Sequence, residues 1–336
     1  MPPITHTYNL DEVFAVTTKY IDKNVEEIFC NTTPLLKEIM KKKEYVDGGN
    51  RLTVALDYNP NSAIGYITGT AADTLNVAPV ENLITAELDW KFMYSNFSVT
   101  LRDLNATADS KHAIVSLVSQ KAKNTLASVR QFLASSFYGS ASSNPNAFNG
   151  LADIFAPSGT AYAGLLDTDL GVDAVGDKKW LPQFDTTSTV CDYETIEPML
   201  TKLKTKASIE GNASKLGYMV SKAAILSAFK QRQQLQQRFL PAKDLEAGFD
   251  GVNVDGVIWY ADEFAPANTL YLINADSIKF FHKYGFEGKD SPQDVSGLRI
   301  PNQPIMVHQK FYTGNLFCVD RRLNGVFTAL DPAATR

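Results

Sequence analysis

The side chains best suited to catalysis or metal binding are few and widely spaced. The chain has four histidines, His6, His112, His282 and His308, and three cysteines, Cys30, Cys191 and Cys318. None of the histidines stands beside an acidic or Cys neighbour, and no two cysteines have zinc-ligand spacing. Histidines so placed are ordinarily structural. The cysteines, odd in number and far apart, read as buried free thiols of a protein made in a reducing cytoplasm. There is no Gly-rich phosphate loop and no nucleophile elbow. Asp167, Asp169 and Asp173 offer closely spaced oxygens to Ca2+. They lack the remaining ligands and the closing Glu of an EF-hand, so they read as a solvated acidic loop. Arg321-Arg322 could fork onto a phosphate or onto carboxylates of another chain. Lys41-Lys42-Lys43 suits a helix C-terminus, with a DNA or membrane contact as the sharper alternative. The sequons at Asn31, Asn96, Asn105 and Asn212 matter only in a secreted protein, which the cysteine usage gives no reason to assume. The expectation is a protein without catalytic residues, cofactor or metal.

The composition frames the same expectation. At 336 residues the chain exceeds the length at which one core keeps growing, so two domains are expected. A hydrophobic fraction of 44% and a charged fraction of 21% are those of a folded protein. A formal charge of -5 argues against a dedicated nucleic-acid binder, though not against a protein lining a space that holds DNA. No signal peptide and no apolar run of membrane-spanning length is visible.

The elements that must position these side chains follow from periodicity. Residues 9–43 read as helical through Leu10, Val13, Phe14, Tyr20, Ile21, Val25, Ile28 and Phe29, with Pro34 interrupting and a short helix Leu35–Lys43 following. Gly48-Gly49 is a turn, and Leu52, Val54, Leu56 and Tyr58 then alternate as a half-buried strand. Residues 59–80 hold one formal charge, Asp73, yet display Ile64, Tyr66, Ile67, Leu75 and Val77. Apolar side chains on so long a loop point to contact with something else. A long strand follows, with Ile84 to Tyr94 on one face, a phase slip at Ser95-Asn96 read as a bulge, and Phe97, Val99 and Leu101 beyond it. The clearest helix is Ser110–Tyr138, with Ile114, Leu117, Val118, Ala122, Leu126, Val129, Phe132, Leu133 and Phe137 in one stripe. Residues 139–150 read as a linker. Helices at Thr195–Lys206 and Lys222–Arg238 then alternate with strands at Leu216–Val220, Val252–Tyr260, Leu270–Ile273 and Ile278–His282, an α+β pattern. Ile305–Tyr312 and Leu316–Val319 read as a hairpin around Thr313-Gly314-Asn315. No internal repeat is present, which speaks against a phage tail or fibre protein.

This order of parts resembles a Hong Kong 97-type capsid subunit of a tailed bacteriophage. Thr33-Pro34-Leu35-Leu36-Lys37 with Gly48-Gly49-Asn50-Arg51-Leu52 is similar to the start of many such major capsid proteins, as is Trp90 to Asp103. The closest likeness is the run Gly314-Asn315-Leu316-Phe317-Cys318-Val319-Asp320-Arg321-Arg322-Leu323-Asn324-Gly325. The resemblance implies an α+β Hong Kong 97-type fold with an N-terminal arm (1–45) and an extended loop arm (46–82). It further implies a peripheral domain with a long spine helix (83–150 and 270–310) and an axial domain (151–269 and 311–336). It implies a shell subunit whose partners are copies of itself in hexamers and pentamers, a portal protein at one vertex, and in some shells a cement protein. Genome DNA would be met only non-specifically, and a membrane not at all. Scaffolding would be a separate protein or a segment already removed. Some members crosslink through a Lys–Asn isopeptide bond. The loop 59–80 has no Lys, so no crosslinking is expected. Within this resemblance Ile64, Tyr66, Ile67, Leu75 and Val77 are the candidate intersubunit contacts. An encapsulin-like compartment shell and an α/β enzyme with an unrecognised site are the alternatives.

Overall fold

A computed structural model describes residues 33–58, 64–67, 69, 82–100, 102, 111–173, 176–209, 216–234, 251–286, 290–299 and 305–334. In chain order its elements are α1 (Pro34–Met40), β1 (Lys43–Tyr45), β2 (Arg51–Asp57), β3 (Leu83–Asp89), β4 (Lys91–Thr100), α2 (Lys111–Ser136), α3 (Leu151–Ile154), β5 (Gln183–Asp185), α4 (Tyr193–Ile209), β6 (Leu216–Ser221), α5 (Ala223–Gln234), β7 (Gly251–Val254), β8 (Val257–Ala261), β9 (Leu270–Asn274), β10 (Ile278–Tyr284), β11 (Val295–Arg299), β12 (Ile305–Cys318) and β13 (Gly325–Phe327).

One sheet is built around β12, in the order β1-β10-β12-β11 with β4 also paired to β12. The β4–β12 register runs unbroken from Thr100↔Ile305 to Lys91↔Gly314. Helix α2, about 39 Å long at ~1.5 Å per residue, touches this sheet where Val118 meets Val99 and Met306. A second sheet has the order β5-β13-β9-β6-β8-β7. Alternation along its strands sorts its side chains to two faces. Met219, Leu270, Leu272 and Phe327 pack with Ile196, Leu200 and Leu203 of α4 and Ile225 and Phe229 of α5. Tyr218, Val220, Tyr271, Ile273 and Val326 instead join a larger core with Leu126, Leu133 and Phe137 of α2 and Phe280 and Leu316 of the first sheet. Strand β9 therefore belongs to the six-stranded sheet, and β12 to the other along its whole length. The third sheet is the ribbon β2–β3. Leu52, Leu56, Ala86 and Leu88 are buried in the larger core, while Arg51, Thr53, Thr85 and Glu87 face out.

Several expectations are corrected. The short helix ends at Met40, and Lys43 already pairs in β1 with Phe280. Pro34 is the first residue of this helix. Thr33 caps it by accepting the Leu36 N–H at 3.4 Å, and a first-turn proline needs no partner for its missing donor. Residues 9–32 lie outside the described residues. The phase slip of the long strand falls after Trp90 and not at Ser95-Asn96, because the chain there leaves the ribbon and joins β12. Leu88, Trp90, Met93 and Val99 are buried, and Phe92 and Tyr94 face solvent. Phe132, placed in the apolar stripe of α2 by its spacing, is also exposed.

Thr313-Gly314-Asn315 makes no turn. A Cβ at Gly314 would lie 2.7 Å from Phe280 Cζ and 2.8 Å from the Phe281 carbonyl oxygen. The glycine serves close approach between strands, and β12 continues through it. Residues 252–260 hold a hairpin in place of one strand. Asp255 and Gly256 have φ of 50° and 82°, a pair that suits a tight turn matched to strand twist. Residues 139–150 form a packed corner. Buried Asp153 accepts hydrogen bonds from Ser140, from the Ala141 N–H at 2.8 Å and from Asn149 Nδ2 at 3.0 Å. Fully buried Asn315 joins this corner to the ribbon, accepting the Asn149 N–H at 2.9 Å and donating to the Asp89 carbonyl at 2.9 Å.

Candidate assembly surface

The described histidines and cysteines are absorbed into the fold. His282 is buried among Tyr45, Phe280 and Phe286, and His308 packs tilted against Phe97 at 5.0 Å between ring centroids. His6 lies outside the described residues, as does the side chain of His112. Cys191 and Cys318 are buried free thiols. Burial pushes the Cys191 thiol up to about 12 and the Cys318 thiol up as well, away from the reactive thiolate. Among the described residues no group of three His, Cys, Asp or Glu could hold a metal ion.

The acidic loop is not merely solvated. Asp167 is buried, with Lys178 Nζ at 2.7 Å and the Ser158 hydroxyl donating to the same oxygen. The Lys178 hydrogen bond, with that of Ser158, holds its carboxyl at about 2. Lys206, itself buried, pairs with Asp173 at 3.0 Å and with Asp177. Cations thus stand on Asp167 and Asp173, while Asp169 accepts the Leu166 N–H at 2.8 Å. The lysine triplet is also engaged: Lys41 pairs with Glu38 at 2.8 Å and Lys42 with Asp276 at 2.7 Å.

Arg321 departs furthest from its expected role. Its guanidinium is fully buried and donates to three carbonyls, of Ile154 at 2.8 Å, Trp180 at 3.0 Å and Ala156 at 3.0 Å. It lies 5.1 Å from the Tyr162 ring centroid and 5.9 Å from that of Trp180. It ties internal loops together, and its guanidinium is not presented at the surface of the subunit. Its neighbour Arg322 turns back to Asp320 at 3.1 Å, and burial pushes that carboxyl up to about 7.

Apolar surface is exposed in two places among the described residues. Ile64 is 83% exposed, Ile67 64%, and Tyr66 fully so. Leu75 and Val77 lie outside the described residues. Leu83, at the root of the same loop, is exposed too. A second apolar surface, which sequence reading missed, is a groove of about 520 Å³ between β4, α2 and the 139–150 corner. Phe92, Tyr94 and Phe132 stand along it, 72%, 67% and 56% exposed. Its other lining residues include Thr125, Ser128, Asn144 and Phe148, and none of the lining residues carries a charge. Three exposed aromatics in one uncharged groove are the composition of a contact surface.

Comparison with known sequence families finds no match, and comparison with curated proteins finds none either. Solved structures do match. The chain is similar to a subunit in the capsid asymmetric unit of cyanophage A-1(L), at 14% identity and a TM-score of 0.65, covering 88% of this chain and 92% of that one. It is similar to the capsid protein of an empty GTA particle, at 13% identity and a TM-score of 0.55, covering 88% and 90%. It is similar to the holo-SrpI encapsulin complex of Synechococcus elongatus PCC 7942, at 10% identity and a TM-score of 0.52, covering 88% and 87%. The fold is the capsid-like one that phage capsids and encapsulins share.

Proposed function

We propose that this chain is a structural shell protein, the major capsid protein of a tailed phage. Its copies would form hexamers and pentamers that close into an icosahedral shell around double-stranded DNA. A portal would occupy one vertex, and a separate scaffolding protein would guide assembly. On this reading α2 is the spine helix, the six-stranded sheet with α4 and α5 is the centre of the axial domain, and the protein is not an enzyme. The single observation that carries the proposal is the pair of exposed, uncharged apolar surfaces on a capsid-like fold: Ile64, Tyr66 and Ile67 on the loop, and the Phe92–Tyr94–Phe132 groove. Closed symmetry sets different surfaces of one chain against each other. The loop of one copy laid over α2 of the next would bury both, at about 1.5–3 kcal/mol for each large side chain fully covered.

The test replaces residues 62–78 with a short Gly-Ser turn. Thermal melting of the unassembled subunit should be nearly unchanged, and shells should be absent by light scattering and negative-stain imaging. Normal assembly of the shortened protein would remove the loop from the interface, and its unfolding would place the loop in the subunit's own core. The likeness to an encapsulin supports a second reading, a compartment shell. Nuclease-protected DNA inside purified shells favours the phage, and a co-purifying cargo protein favours the compartment.

A further inference from the structure

The ribbon β2–β3 joins the body at two weak points. On the entering strand, Gly48 and Gly49 hold left-handed backbone with φ of 79° and 77°. A Cβ at Gly48 would meet nothing within 4 Å, so this pair is a natural pivot. On the leaving strand, Trp90 separates the β3–β2 register from the β4–β12 register. One side chain touches both points. Lys283, from β10, donates its ammonium to the Gly49 carbonyl and sits 4.6 Å from the Trp90 ring centroid. At the opposite end of β2, where residues 59–81 depart, Lys179 donates to the Tyr58 carbonyl at 2.9 Å. Asp57, Asp320 and Arg322 line the same small cleft.

The geometry points to Lys283 and Lys179 as positioning residues that fix the direction in which the ribbon presents its loop. Strand β3 is already fixed by two directional bonds, from Asn315 Nδ2 to the Asp89 carbonyl and from the Glu87 N–H to the Ala163 carbonyl, both at 2.9 Å. At the two ends of β2 the buried face alone is non-directional and leaves rocking open. A hydrogen bond to a backbone carbonyl is directional. With one at the pivot and one at the root of the loop, the chain path is set at both ends whatever the loop's own side chains do. The subunit thereby carries its contact surface already aimed, which lowers the ordering cost of association. The consequence for assembly rests on the proposed reading of the loop as an intersubunit contact. The clamp itself is a property of one subunit.

The experiment measures the clamp in the unassembled subunit. Spin labels are placed at Gly65→Cys, where a Cβ meets nothing within 4 Å, and at Thr201→Cys on the exposed side of α4, in a Cys30→Ser background. The remaining cysteines, Cys191 and Cys318, are buried. Pulsed dipolar spectroscopy should give a narrow distance distribution for the parent. The Lys179→Met, Lys283→Met double variant should give a broadened or multimodal one, and Arg at both positions should restore the narrow form. The concentration needed for shell formation should rise several-fold in the Met variant, with mixed shell sizes. If the double variant does not fold, each single variant is read in the same way. A distribution as narrow in the Met variants as in the parent, or a parent distribution already broad, overturns the clamp. Broadening with unchanged assembly upholds the clamp and instead overturns the loop as an assembly contact.

Discussion

Replacing Arg321 with Met tests how the loops around the larger core are held. Methionine keeps the length and apolar stem of arginine but removes every donor. Three carbonyls, of Ile154, Ala156 and Trp180, would lose their partner in a place water does not reach. Each buried acceptor left unmade costs about 1–3 kcal/mol. Against this, the variant no longer buries a cation, whose desolvation is several kcal/mol (roughly) per ion. That penalty is real in the parent, since burial lowers the Arg321 pKa. The cation is partly compensated there by the faces of Tyr162 and Trp180. Three unmade acceptors together cost roughly 3–9 kcal/mol, which exceeds the relief, and the net expectation is a destabilisation of about 3–5 kcal/mol. On a total of about 5–15 kcal/mol this is a large share. The measurement is urea unfolding of the unassembled subunit, in which the midpoint should fall with the slope retained. Arg321→Lys should lose most of the same stability, because one ammonium cannot span three carbonyls set for a planar fork. A loss below about 1 kcal/mol for Arg321→Met, the size expected of an ordinary surface change, would refute the assignment of this arginine as the tie between the loops.

Other expectations follow from single contacts. Gly314→Val places atoms where Phe280 and the Phe281 carbonyl already stand, and should lower stability by about 1–3 kcal/mol or more, read from thermal melting. Were the segment a hairpin turn at the surface, the same change would leave the β10–β12 amides protected in hydrogen exchange. Asp167→Asn should destabilise by about 1–2 kcal/mol at pH 7, discounted for the partly exposed Lys178. The folded carboxyl is depressed to about 2, so its contribution is full above the ordinary carboxylate range and lost as pH falls through the folded value. Parent and variant stabilities should therefore converge toward pH 2. Phe132→Ser with Tyr94→Ser should leave subunit melting within about 1 kcal/mol, because both side chains are already exposed. Light scattering should then report lost assembly, and unaltered assembly would take the groove out of the interface.

The order of elements was legible because each announces itself by a period: two in the ribbon, where Leu52, Leu56, Ala86 and Leu88 alternate with exposed residues, and near 3.6 in α2. What was not legible depends on partners remote in sequence. Gly314 has the composition of a turn, and only Phe280 on the neighbouring strand reveals that it is a gap for an aromatic ring. Arg321 has the type of a surface residue, and the carbonyls that bury it come from residues 154, 156 and 180. Phe92, Tyr94 and Phe132 carry the apolar signal of core positions yet face out. Periodicity reports that a side chain wants an apolar neighbour, not whether that neighbour lies in the same chain. The loop residues Ile64, Tyr66 and Ile67 were singled out because the lack of charge there is itself a local property. The groove is made by β4, α2 and the 139–150 corner together, and no stretch of sequence displays it whole.

The pairing of β4 with β12 joins residues more than two hundred positions apart. On a ribosome, Phe92 and Tyr94 emerge long before the strand that fixes their backbone, and the intervening chain must be made and its ends brought together first. Until Ile305–Cys318 has left the exit tunnel, β4 has no partner in its own sheet, and the wall it gives the groove is not yet fixed. Nascent and truncated chains would therefore lack the acceptor surface, even with a finished loop. On the proposed reading, translation itself meters which molecules join a growing shell: recruitment waits for β12, and unfinished subunits are turned away without any separate inspector.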